Sequence, residues 1–297
     1  MSKNLTIIIL TFNSQDIIKE CLSRVNFDKY KVVVVDNNSK DDTLKIVQEN
    51  FHVDKLYQLP RNIGFGNANN VALQEVDSDY ALVLNPDAMI EDADIEIVLK
   101  AMESDEKAAI AGPVILEKYP YDAGEYDERL QYMQRNHGFY YEDHNLYYAN
   151  FLVGCTLFFK MSVMKKLGFF DKNIFLFYEE NELCHRVRQA GYHPIVVKGA
   201  KALHLKEASS TKSLTLLYLR NWHFVWSRIY WKSFEKGLAK ARISCVRNML
   251  IGSVFFISSI FTCDQEKRVK YQSLISASFA FLIGLKPFKK DGTPRLN

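Results

Sequence analysis

No two cysteines in this 297-residue chain stand at C-x-x-C spacing: Cys21, Cys155, Cys184, Cys245 and Cys263 are scattered and odd in number. A disulfide framework and a zinc ribbon are both excluded as organising principles, and a reducing cytoplasm fits. The opening MSKNLTIIILTFN lacks a small-residue cleavage site and has too short an apolar stretch for a signal peptide, so it reads as a first strand. Internal repeats and low-complexity tracts are missing as well. The uncharged run Met249–Cys263 is 15 residues long, short of the about 20 that a bilayer-spanning helix needs. A strong excess of one charge is also missing, but the net +3 is made of two unlike parts. From Lys212 onward 15 Lys and Arg face 4 Asp and Glu, leaving 23 against 31 for the rest. The body is acidic and the tail basic, so the two parts meet different partners.

The 48% hydrophobic content is enough for a sizeable core. Leu5 to Leu10 and Lys31 to Val35 are β-branched apolar runs ending in polar residues, as expected of strands covered on both faces. Between them Ile17, Ile18, Cys21, Leu22 and Val25 have helical spacing. The alternation continues: a helix opening at Asp41–Thr43, a strand at Lys55 to Leu59, a helix at Gly66 to Glu75, a strand at Tyr80 to Leu84. This rhythm predicts an α/β fold with an open, mostly parallel twisted sheet flanked by helices, its ligands bound at the carboxyl ends of the strands. Residues 117–148 lack a clear period and read as a long excursion. A strand at Val153 to Lys160, helices at Ser162 to Leu167 and Glu182 to Ala190, and a strand at Ile195 to Val197 follow. The division expected is 1–211 for the α/β domain and 212–297 for a helical extension.

Polar residues gather where strands end: Thr11 and Asn13 after IIIL, Asp36 after VVVV, Asn85 and Asp87 after ALVL. Each alone is explained by an Asx turn or a helix cap. Together they offer an acceptor for a base N–H, donors for a ribose and a carboxylate for a divalent cation on a diphosphate. Pro86 fixes the relation between Asn85 and Asp87. Gly64-Phe65-Gly66 suggests a dinucleotide fingerprint, but Asn69 stands where the third glycine belongs, which argues against a dehydrogenase. The remaining reading is a turn whose glycines let the backbone approach a ligand beside Asn62, Asn67 and Asn70.

TFN, VVVDNNSKDDT, NIGFGNANN, LNPDA and FFDKNIFLFYEENELCHRVRQAGY, in this order over the first two thirds of the chain, together resemble family 2 glycosyltransferases of the GT-A fold, in the branch of bacterial rhamnosyltransferases. The resemblance implies inverting sugar transfer from a nucleotide-diphosphate donor, dTDP-rhamnose or a UDP-hexose, with Mg2+ or Mn2+. It places Asp36 against the base and Thr11, Phe12, Asn13, Asn38, Arg61 and Asn62 in the donor pocket. Gly64, Phe65, Asn70, Asn85, Pro86 and Asp87 complete that pocket. Asp87 and His204 are the implied metal ligands, with metal binding weakened by Asn85 where many members carry a second acid. Gly154 and Tyr178 fall on the implied acceptor side. Cys155 has no basic activator nearby in sequence and reads as packed. Trp222 suits either closure over the diphosphate or a core position.

An inverting transfer needs one carboxylate to take the acceptor hydroxyl's proton. In FLFYEENELCHR, Glu180 stands where the family has its aspartate base, Glu179 is the reserve candidate, and Glu182 suits a helix start. The resemblance further implies a glycan or lipid-linked acceptor in bacterial surface polysaccharide synthesis. The tail, with two apolar stretches among Arg228, Lys232, Lys236, Lys240, Arg242 and Arg247, fits helices pressed on an anionic membrane from the cytoplasmic side. A buried helix pair or a homodimer contact is the alternative, and nucleic acid is not expected. The rival functional readings are a nucleotidyltransferase and a catalytically silent nucleotide-sugar or membrane-binding module.

Overall fold

The computed structural model describes residues 4–117, 131–133, 135–136, 138–139, 141–143, 146–205, 213–289 and 291–295. The first strand, β1 (Leu5–Thr11), is buried along all seven residues, as its unbroken apolar run requires. It pairs in parallel with β2 (Lys31–Asp36) and β4 (Tyr80–Leu84), and β2 pairs in parallel with β3 (Lys55–Gln58). The helices between these strands are α1 (Ile18–Ser23), α2 (Thr43–Asn50) and α3 (Phe65–Leu73). This half of the sheet matches the βαβ expectation closely.

The second half is mixed rather than parallel. After β5 (Ala88–Met89) and helix α4 (Asp92–Ser104) comes β6 (Ala108–Leu116), a fully buried strand hidden in the sequence by its alanines and Pro113. Short strands β7 (Tyr141–Asp143) and β8 (Leu146–Tyr148) lie in the expected excursion, most of which falls outside the described residues. Strand β9 (Thr156–Lys160) enters antiparallel between β4 and β6. Helices α5 (Met161–Leu167) and α6 (Glu179–Gln189) precede β10 (His193–His204), which runs parallel to β6 and antiparallel to β8. The sheet order is β3-β2-β1-β4-β9-β6-β10-β8-β7, with β5 paired to β10.

The chain forms two units. The first, Met1–Asn62, Ala68–Phe170 and Glu180–Ser209, carries the sheet. The second joins Ile63–Asn67 and Asp171–Glu179 to everything from Ser210, so the helical extension recruits two short segments that the division after residue 211 had left in the sheet domain. Its three helices are α7 (Leu214–Lys236), α8 (Leu238–Phe261) and α9 (Gln265–Leu282). Trp222 is wholly buried in its core with Val225, Trp226, Ile229, Ala241, Cys245 and Ala277. Its indole donates to Ser276 Oγ at 3.2 Å, so the core reading of Trp222 holds over closure on a diphosphate.

Helix α8 departs from expectation. The uncharged run of 15 residues is continued N-terminally through Arg247, Arg242 and Lys240 into a 24-residue helix, long and apolar enough by length and composition to cross a membrane. Its packing is inverted: Ala241, Ser244, Cys245, Asn248, Gly252 and Ser259 face inward. Outward lie Ile243, Val246, Leu250, Val254, Ile257 and Phe261, with Leu250 and Val254 67% and Phe261 83% exposed. A Cβ on Gly252 would stand 2.8 Å from Ile275 Cγ1, so small residues let α8 and α9 approach closely.

Leu82 lies at the centre of β4 with no solvent exposure. Leu82→Ala is expected to cost about 2–5 kcal/mol in urea unfolding, through lost burial plus a cavity that flanking strands cannot close.

Candidate active site

The carboxyl edge of the parallel half is built by hydrogen bonds among the strand-end residues. Asp36 is fully buried; its Oδ1 accepts from Thr11 Oγ1 at 3.0 Å and its Oδ2 from Ser39 N at 2.9 Å. Asn13 (φ 51°) and Asn38 (φ 71°) take the left-handed backbone that asparagine tolerates best after glycine. Asn13 Oδ1 accepts from Lys40 N at 2.8 Å, and Lys40 Nζ donates to Asn38 Oδ1 at 2.7 Å. Asn37, which sequence reasoning passed over, donates from Nδ2 to Asn62 Oδ1 at 3.0 Å and so ties the β2 edge to the loop after β3. Phe12 and Arg61 are exposed beside these groups in the chain. The edge is a set of partly used acceptors and amides around one buried carboxylate.

Gly64 and Asn70 have structural work of their own. Gly64 sits at φ +88°, and a Cβ there would lie 2.2 Å from the Phe175 carbonyl oxygen, to which Phe65 N donates at 3.0 Å. A backbone approach within the chain is by itself enough to demand the glycine. Asn70 uses both ends of its amide on Phe170: Nδ2 donates to the carbonyl at 2.8 Å and Oδ1 accepts from the amide at 3.0 Å. These contacts tie Gly64, Phe65 and Asn70 to the Phe170 and Phe175 backbone.

The Asn-Pro-Asp turn is anchored across the sheet. Asn85 N donates to the Cys155 carbonyl at 2.9 Å and Asn85 O accepts from Ala88 N at 3.0 Å, extending the β4–β9 pairing past Leu84–Thr156. Pro86 holds the turn, and Asp87 is buried. Opposite it, the register of β10 against β6 shifts after Val197↔Pro113 and resumes at Lys201↔Val114. This bulge lets the strand's end pair with β5, His204 with Ala88. As a result Asp87 Oδ2 and His204 Nε2 stand 3.3 Å apart. Among the described residues no cluster of three or more His, Cys, Asp or Glu is found. A carboxylate and an imidazole at one point fit a divalent cation whose other ligands come from a diphosphate and water, and Mn2+ tolerates nitrogen better than Mg2+ does.

The three glutamates separate cleanly. Glu182 holds Arg186 in a two-point pair, Oε1 accepting from Nε at 2.9 Å and Oε2 from Nη2 at 2.8 Å. Arg186 in turn donates to the carbonyls of Leu167, Gly168 and Phe169, so Glu182 is the root of a structural clamp and not merely a helix-start acid. Glu179 is only 2% exposed, whereas Glu180 is partly open to solvent. The Glu180 carboxyl lies against the backbone of Gly154; a Cβ at that glycine would fall 1.8 Å from Oε1. Desolvation pushes the Glu180 carboxyl above its ordinary range, opposed by backbone hydrogen bonds at Glu180 and Gly154. Tyr178 and Phe177 before it both take φ 68°, an unusual pair for bulky side chains.

Cys155 follows Gly154, on which the Glu180 carboxyl rests, and its carbonyl accepts from Asn85 N, two residues before Asp87. Burial first, and then the charges of Asp87 and Glu180, drive its thiol up to about 12, so it is no nucleophile. Cys21 is likewise raised to about 12, by burial and then Asp87. Of the five cysteines four are buried and Cys263 is exposed. The native protein is therefore expected to give about one fast-reacting thiol with a disulfide reagent at pH 8 and all five after unfolding, because protonated buried thiols react slowly.

Residues 6–168 match the family model for glycosyl transferase family 2. The low-salt glycan biosynthesis hexosyltransferase Agl10 of Haloferax volcanii is 27% identical over 99% of this chain and 94% of its own length. The rhamnosyltransferase WbbL of Escherichia coli is 26% identical over 84% of this chain and 98% of its own. The N-acetylglucosaminyl-diphospho-decaprenol L-rhamnosyltransferase of Mycobacterium tuberculosis is 22% identical over 66% of this chain and 76% of its own. Among solved structures, the mannosyltransferase PcManGT of Pyrobaculum calidifontis, in complex with GDP-Man and Mn2+, overlaps with a TM-score of 0.58 at 15% identity, over 94% of this chain and 87% of that one. Staphylococcus aureus TarS residues 1–349 with UDP overlap with a TM-score of 0.52 at 14% identity, over 99% and 96%. With the sheet order, the strand-end carboxylates and the match over more than half its length in agreement, the chain belongs to glycosyl transferase family 2.

Proposed function

We propose that this family 2 glycosyltransferase moves a sugar, with inversion, from a dTDP- or UDP-linked donor to a lipid-linked glycan acceptor, with Glu180 as the base. The observation that carries this reading is the antiparallel entry of β9, which brings Gly154, on which the Glu180 carboxyl rests, and the Cys155 carbonyl, which accepts from Asn85 N at 2.9 Å, to the edge where Asp87 emerges. The acceptor hydroxyl gives its proton to Glu180 as its oxygen bonds to the anomeric carbon. The bond from that carbon to the diphosphate breaks on the opposite face, and the nucleoside diphosphate leaves with the electron pair. Asp87 and His204 would hold the divalent cation that offsets the leaving group's charge. Asp36 and the asparagines beside it would seat the nucleoside. The named activities of the Escherichia coli and Mycobacterium tuberculosis relatives favour rhamnose, and the diphospho-decaprenol in the second name favours a lipid diphosphate acceptor.

The second unit suits an anionic membrane surface. Helix α8 turns Leu250, Val254 and Phe261 to solvent and its small polar residues inward, the reverse of a water-soluble helix. Its N-terminal half carries Lys240, Arg242 and Arg247, and Asp264, Glu266, Lys267, Arg268 and Lys270 follow its C-terminal end. The uncharged part of the helix, Asn248 to Phe261, is too short for the hydrocarbon core, which favours lying along the interface over crossing it, with the basic end drawn to acidic lipid.

Glu180→Gln is expected to leave nucleotide-sugar binding within about twofold while kcat falls about 10²–10⁴-fold, since general-base catalysis supplies that range. Retained turnover would remove Glu180 from the role. Because the raised carboxyl must be ionised to act, wild-type kcat/KM should fall, as pH drops, at a value above the ordinary glutamate range. Asp87→Ala should weaken donor binding in Mn2+ and far less in EDTA. On the membrane side, Leu250→Glu with Val254→Glu should abolish sedimentation with phosphatidylglycerol vesicles at unchanged oligomeric state. A shift from dimer to monomer by light scattering would instead assign the face to a second copy.

A further inference from the structure

Between α7 and α8 lies a cavity of about 320 Å³ that none of the family's donor motifs reaches, walled by Tyr178, Arg228, Trp231, Lys232, Lys236 and Arg247. Three of its cations, Arg228, Lys232 and Lys236, stand four residues apart on one face of α7, and Arg247 answers them from α8. Against four cations there is one acid, Glu235, whose carboxylate lies 3.7 Å from Lys236 Nζ. Among the described residues Arg228, Lys232 and Arg247 make no ion pair; Lys232 donates to Ser244 Oγ and Arg228 lies over the Phe224 ring at 5.7 Å. The floor is polar and held in place, with Asn248 Nδ2 donating to Ser278 Oγ at 3.3 Å. Four like charges around one hollow repel each other, and an anion inside removes that cost.

We propose that this cavity binds the diphosphate of a lipid diphosphate ester, which deepens the acceptor reading above and rests on it. Two features choose this ligand over others. The surplus of cations suits the two charges of a diphosphate that joins a glycan to a lipid better than the single charge of a phosphodiester headgroup, and the volume falls within the range of about 300–1,000 Å³ usual for small-molecule sites. In addition Arg247, Leu250, Val254 and Phe261 lie on one side of α8, and the last three are exposed. An isoprenoid chain leaving the cavity at Arg247 therefore finds an apolar track along the same helix. Tyr178, whose hydroxyl burial pushes up and the charge of Arg228 draws back down, is the wall residue that precedes Glu180 by two positions in the chain.

The test uses the full-length protein with farnesyl diphosphate as probe, read by tryptophan fluorescence from Trp231 and its neighbours and by calorimetry. Arg228 and Arg247 are both exposed, so Arg228→Gln with Arg247→Gln should fold normally. The double variant is expected to bind farnesyl diphosphate at least about tenfold more weakly, since two charge-assisted contacts are lost. Its Tm and its affinity for UDP and dTDP should stay as in the wild type, and farnesol should not bind either protein. Equal binding of the probe by wild type and variant would overturn the proposal. So would binding of inorganic pyrophosphate as tight as that of farnesyl diphosphate, which marks a free-anion site. Displacement of the probe by phosphatidylglycerol vesicles through the same two arginines would mark a bilayer headgroup site and overturn it as well. Failure of the wild type to bind any nucleotide sugar contradicts the transferase reading separately, whatever the cavity does.

Discussion

The site depends on one backbone contact: Asn85 N donates to the carbonyl of Cys155 at 2.9 Å, at the point where β9 runs antiparallel to β4. Parallel strands alone would bring only their carboxyl ends to the edge. By inserting β9 in the opposite sense, the fold delivers the start of that strand, Gly154 and Cys155, to the edge where Asn85 and Asp87 emerge. Glu180 then settles on Gly154, whose missing side chain is the space its carboxyl fills. A Cβ at residue 154 would collide with the Glu180 carboxyl, so the glycine is what lets that carboxyl rest at this edge. The β10 bulge completes the set by aligning His204 with β5 and bringing its imidazole to Asp87.

The second unit follows a different solvent logic. A soluble helical bundle hides its leucines and shows its serines; α8 does the reverse along most of its length. At about 25 cal/mol per Å² of apolar area, leaving such a face in water is costly, and an interface or another apolar surface relieves it. The basic residues Lys240, Arg242 and Arg247 lie in the N-terminal half of the same helix. The acidic unit presents buried, pre-placed polar groups at its sheet edge, and the basic unit presents exposed ones.

Much of this was legible in the sequence because it rests on local rules. The unbroken apolar runs of β1, β2 and β4, and the Asp and Asn residues that close them, announce a parallel sheet and its reactive edge without any tertiary knowledge. The family resemblance assigned Asp87, His204 and Glu180 roles compatible with where they lie. What stayed hidden depends on long-range partners. Nothing local says that Asn70 is consumed by Phe170, that Gly64 is forced by the Phe175 carbonyl, or that Glu182 anchors Arg186 to three carbonyls. Strand β6 was missed because alanine and proline carry no strand signal, its register being imposed by β9 and β10. The length of α8 was missed because a count of uncharged residues stops at Arg247, although a helix carries a basic residue on its surface with ease.

The most direct measurement is anomalous scattering from Mn2+ in crystals of the protein grown with a nucleoside diphosphate. The account predicts a single strong peak within ligand distance of Asp87 and His204, in contact with the diphosphate, with the Glu180 carboxyl unliganded and resting on Gly154. A peak coordinated by Glu180, or a bound diphosphate whose cation lies away from Asp87, would contradict it.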